Sequence, residues 1–123
     1  MTKYDIIPML LQACPGFRPQ WDAYIAGREI PLLVYIDIGE FVSYLVDSYK
    51  NGELDAIRPA FEILERLLLE GDSETQECAV IGFIEDLQNA ALRELFGSEA
   101  FVPFLHPRSL VAWNQVNEFW NPT

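Results

Sequence analysis

The stretch Cys78-Ala79-Val80-Ile81-Gly82-Phe83-Ile84 is apolar on nearly every side of a helix. Ser73 and Gln76 stand ahead of it at capping-box spacing, and helical spacing continues to about Phe96. A helix without a polar face in its middle must be enclosed by other elements. The 74–96 segment is therefore expected to be the central helix of the domain, with Gly82 allowing one neighbour to approach closely.

The remaining apolar residues recur at spacings of three and four, so the elements that enclose it are helices too. A short helix is expected over Tyr4 to Cys14, stopped by Pro15-Gly16. Pro19 opens a second around Trp21, Tyr24 and Ile25, and Gly27 ends it. Residues 30–36, Ile-Pro-Leu-Leu-Val-Tyr-Ile, are the one β-like run, but Pro31 confines a strand to an edge and no second run exists to pair with. An extended connection lying on the core is expected there.

Asp37 and Glu40, again at capping-box spacing, open a helix striped by Ile38, Phe41, Val42, Leu45, Val46 and Tyr49 and closed by Asn51-Gly52. The next helix begins near Glu53 with Leu54, Ile57, Phe61, Leu64 and Leu68 on one face. Pro59 calls for either a start near Arg58 or a local kink, and Gly71 is the stop. After Gly97-Ser98, His106-Pro107 opens a final helix whose Leu110, Trp113, Val116 and Trp120 are expected to dock into the core. No repeat or long linker interrupts this pattern. The expectation is an all-α, compact single domain over 1–123, built of five or six helices.

Charge limits the function classes. The formal net charge is −11, yet half of the residues are apolar, so the acidity does not mean disorder. Residues 53–99 hold twelve Asp or Glu against three Arg, and nothing basic lies between Arg66 and Arg93. Such a surface repels phosphate backbones and anionic membranes and attracts basic proteins. No run approaches the ~18–20 apolar residues of a membrane span. Leu11-Gln12-Ala13-Cys14 has the outline of a lipobox, but Pro8 breaks the short apolar stretch before it, and a cytoplasmic protein is expected. Cys14 and Cys78, 64 residues apart and without CxxC spacing, read as two reduced core thiols.

Catalytic chemistry is sparse. His106 is the only histidine and stands at a helix start, where it reads as a cap or surface residue. Glu85 and Asp86, adjacent on a helix, point about 100° apart and do not form a converging carboxylate pair. Glu70, Glu74 and Glu77 flank one turn, but histidine and calcium-loop spacing are both missing, and no phosphate-binding glycine loop occurs. The expectation is a protein that is not an enzyme, with no cofactor and no metal.

Part of the acidity has a local use, since Glu53, Asp55, Glu74 and Glu77 fall in first turns, where they favour the helix dipole. Glu70, Asp72, Glu85 and Asp86 have no such explanation. The expected partner-binding set is Glu70, Asp72, Glu74, Glu77, Glu85 and Asp86, with Tyr44 contributing from the polar side of the 38–51 helix.

Three segments, Tyr35-Ile36-Asp37-Ile38-Gly39-Glu40-Phe41, Gly82-Phe83-Ile84-Glu85-Asp86-Leu87-Gln88-Asn89 and Phe104-Leu105-His106-Pro107-Arg108-Ser109 with Trp113 following, resemble the small acidic helical immunity proteins of bacterial polymorphic toxin systems, of the contact-dependent inhibition or Rhs type. The resemblance implies a cognate toxin domain, bound and neutralised in the cytoplasm of the producing cell. A secretion chaperone or adaptor for a basic effector, and a small enzyme, are the alternatives. The chaperone would show β structure in a dimer, and the enzyme a deep pocket lined with polar groups.

Overall fold

The computed structural model describes residues 1–28 and 33–121. Its α-helices are α1 (Ile6–Ala13), α2 (Arg18–Ile25), α3 (Val34–Lys50), α4 (Leu54–Glu70), α5 (Ser73–Cys78), α6 (Asp86–Leu92) and α7 (Pro107–Trp120). Short 3-10 turns lie at Lys3–Asp5, Pro15–Phe17 and Ser98–Phe104, and a π-helical segment, Ala79–Glu85, joins α5 to α6. The fold is all-α, with no strand among the described residues. The described residues form seven α-helices rather than five or six, because the wider π turns divide the central helix in two.

The apolar middle does lie inside. Ala79, Gly82, Phe83 and Ile84 are buried, and Phe83 joins Phe41 of α3 (6.1 Å between ring centroids) to Phe61 of α4 (5.9 Å, edge to face). Enclosure is incomplete, however, since Ile81 remains 43 % exposed. A Cβ on Gly82 would lie 3.2 Å from Ile38 Cδ1 and 3.5 Å from Tyr35 Cδ1, so the glycine is what brings α3 so close to the π segment. The helix stops at Leu92 rather than near Phe96, and Gly97 takes a positive φ of 71°.

Several boundaries move for identifiable reasons. α3 begins at Val34, so Asp37 lies in its first turn instead of ahead of it; of the run 30–36, residues 30–32 fall outside the described residues and 34–36 are helical. The cap of α5 is Asp72 rather than Ser73: its Oδ1 accepts from the Thr75 N–H (2.8 Å) and hydroxyl (2.7 Å), while the Gln76 amide donates to the Gly71 carbonyl (2.9 Å). α4 starts at Leu54 and keeps Pro59 inside it, at the loss of one main-chain hydrogen bond. On α7 the buried residues are Ser109, Ala112, Trp113 and Val116, whereas Leu110 and Trp120 face outward. Cys14 and Cys78 are free thiols in the core, and burial pushes Cys14 up to about 11.

Gly71 makes the corner between α4 and α5. A Cβ there would sit 2.5 Å from the Leu67 carbonyl oxygen and 2.6 Å from Thr75 Cγ2, and the first of these is backbone that cannot rotate away. Gly71→Ala is therefore expected to destabilise the protein by about 1–3 kcal/mol, read from the urea midpoint at constant slope. An unchanged midpoint would mean that this corner relaxes freely.

Candidate functional site

Most of the expected acidic surface is already engaged within the chain. Glu70 accepts from Arg66 Nε at 2.9 Å, one helical turn away. Asp72 is the α5 cap, and the Thr75 hydroxyl and N–H hold its carboxyl below the usual range. Glu74 pairs with Lys3 Nζ at 2.9 Å. Glu77 lies beside the Tyr35 hydroxyl, which burial foremost, then Cys78 and Glu77, raise to about 12. Tyr44 is not on a polar face: it is 8 % exposed, with its ring against Phe17 (5.4 Å) and Phe41 (5.7 Å). The Pro15–Phe17 turn covers that side of α3, which helical spacing within α3 does not reveal.

Glu85 and Asp86 stand apart from this set. They line an open groove of about 440 Å³ together with Tyr35, Ile36 and Gly39 of α3, Ile81 and Gly82 of the π segment, and Asn89 of α6. Gly39 and Gly82 give the groove a backbone floor. A Cβ on Gly39 would come within 3.3 Å of Asp86 Oδ2. Half-buried Asp86 has neither a hydrogen-bond donor nor an ion pair among the described residues. Burial raises its carboxyl above the usual range; Arg93 opposes the rise and Glu85 adds to it. An ionised carboxylate left without donors in a partly dry setting is costly.

Two other grooves each share one lining residue with it. Glu85 also borders a groove lined by Val80, Val116, Phe119 and Trp120, and Asn89 borders a third that includes Leu92 and Trp120. Exposed apolar side chains flank the carboxylates on both sides: Tyr35, Ile36 (60 %) and Ile81 on one, Phe119 (75 %) and Trp120 (58 %) on the other. Aromatic side chains at the surface around a small charged centre are the composition of a protein-binding patch.

One buried carboxylate carries a different role. Asp37 is fully buried and accepts four hydrogen bonds: from Tyr24 Oη (2.9 Å), Arg28 Nη1 (2.8 Å), Arg28 Nη2 (3.3 Å) and the Leu33 N–H (3.0 Å). It ties the end of α2 to the start of α3, and its position in the first turn of a helix gives no hint in sequence of partners 9 and 13 residues upstream. His106 is the cap of α7: its N–H donates to Ser109 Oγ (3.0 Å), and Glu65 receives the next N–H groups, of Arg108 (2.9 Å) and Ser109 (2.7 Å). Burial works against the charged Glu65, but those two donors outweigh it and hold its carboxyl low. Among the described residues no group of three or more His, Cys, Asp or Glu is placed to hold a metal ion, and no helix is long and apolar enough to cross a membrane.

Fold and site together define a small all-helical domain whose chemistry lies in open, acidic, aromatic-rimmed surface grooves. The chain belongs to the family described as Domain of unknown function (DUF7674), which matches residues 7–121. No curated protein and no solved structure matches it.

Proposed function

We propose that this chain is an immunity protein, which binds a basic toxin domain one to one in the cytoplasm and blocks its active site or substrate entrance. The observation that carries the reading is the face around Glu85 and Asp86, an acidic centre between exposed Tyr35, Ile36 and Ile81 and exposed Phe119 and Trp120. Buried aromatic anchors around a desolvated charge supply most of the energy of protein interfaces, and a net charge of −11 speeds association with a cationic partner. The Glu70–Glu77 corner, with its internal partners, contributes steering rather than contact. An all-helical chain supports this reading over an α/β secretion chaperone, and open grooves support it over an enzyme with an enclosed pocket.

The test is co-expression with each growth-arresting product of the genes that neighbour this one. The unaltered chain is expected to restore growth, and the Glu85→Lys, Asp86→Lys double variant to fail while keeping its helical circular dichroism. Asp72→Asn should rescue normally. Rescue by the doubly reversed protein, or no growth defect from any neighbouring gene product, would overturn the proposal.

A further inference from the structure

The groove between α3 and the π segment has a shape and a chemistry more specific than acidity. Its floor at Gly39 and Gly82 has no side chains, and the space a Cβ on Gly39 would take lies against Asp86 Oδ2. One wall is the exposed Tyr35 ring, and Ile36 and Ile81 form an apolar rim. At the end stand two carboxylates, of which Asp86 has no donor from the described residues. Arg93 acts on Asp86 through charge alone, without an ion pair between them.

We propose that this groove is a socket for an arginine side chain of a partner protein, with the guanidinium on Asp86, the Glu85 charge beside it, and its stem and plane along Tyr35. The inference rests on the reading that the partner is a basic protein, but not on that partner being a toxin. A guanidinium is planar, weakly hydrated and carries five N–H donors, so it can satisfy a carboxylate bidentately and still lie flat on an aromatic ring. An ammonium is a compact, strongly hydrated point charge that gains little from a ring wall and a dry rim. A bare divalent ion would find two carboxylates and apolar walls where it needs six or more oxygens. A second copy of this chain would bring another −11 to the same surface. The charge, the missing donors and the flat wall are complementary to one group, a guanidinium delivered by a different protein.

The experiment is an amide chemical-shift titration of the whole chain at low salt with three blocked peptides, acetyl-Gly-Leu-Xaa-Leu-Gly-amide, in which Xaa is arginine, lysine or the neutral isostere citrulline. The arginine peptide is expected to shift Gly39, Gly82 and Asn89 at millimolar concentration, the lysine peptide severalfold more weakly and the citrulline peptide not at all. Asp86→Asn should weaken the arginine peptide by about tenfold, as expected for loss of a charge-assisted bidentate contact, and Asp72→Asn should leave it unchanged. Equal shifts from lysine and arginine, shifts centred on residues 70–77, or an undiminished response in Asp86→Asn would each overturn the socket. The two proposals fail separately. Arginine-specific shifts without growth rescue would remove the toxin but keep the socket, whereas rescue without groove shifts would do the reverse.

Discussion

Asp37→Ala is expected to destabilise the protein by about 3–5 kcal/mol, a large share of the ~5–15 kcal/mol that holds a domain of this size together. The reason is the asymmetry of buried charge. Asp37 is fully enclosed and takes donors from Tyr24, Arg28 and the Leu33 N–H, so removing it takes one acceptor from a hydroxyl, a guanidinium and a main-chain N–H together. Asp37→Asn keeps the volume but loses the charge and half of the acceptor capacity, and is expected to fall between the two. Urea unfolding followed by circular dichroism measures this, and a loss under about 1 kcal/mol would show that the α2–α3 junction is held by packing instead. The consequence reaches the groove, because Tyr35 and Ile36 share the first turn of α3 with Asp37. A loosened junction would also blur the groove wall.

How much of this was legible beforehand depended on whether a partner lay close in sequence. The helical stripes were visible, as were Gly71, Gly27 and Pro19 as boundaries, since each reflects spacing or backbone preference within a few residues. The Arg66–Glu70 pair, at four-residue spacing, was equally readable. Asp72 and Ser73 are adjacent and both good caps, and only the bonds to Thr75 choose between them. What no local pattern reveals is contact across the chain: Lys3 on Glu74, the Pro15–Phe17 turn over Tyr44, or α3 against the π segment. The groove is of that kind. Gly82 signalled a close approach, but Gly39, the other half of the floor, carried no signal until the two helices were seen side by side.

Asp86→Asn is expected to separate the needs of the fold from those of the site. Binding to the partner should weaken by about 2–5 kcal/mol, thirtyfold or more, because the partner's cation would be desolvated without its counter-charge. Stability at neutral pH should rise or stay level, because the lost group is a half-buried carboxylate without donors. The pH dependence has a definite sign. The carboxyl titrates above its ordinary value of 3.8 in the folded protein, so between those two values the folded state binds the proton more tightly than the unfolded state. The contribution of Asp86 to stability therefore falls as pH rises through that window, and the advantage of Asp86→Asn grows across it and levels off above. Glu85 widens the window and Arg93 narrows it. Affinity runs the other way, tightening as pH rises and Asp86 ionises, so the partner is held best where the free protein is most burdened by this charge. Paired urea titrations and calorimetric binding at several pH values would read both trends. A variant that is less stable yet binds undiminished would make Asp86 a structural residue and move the interface to the Phe119 and Trp120 side of Glu85.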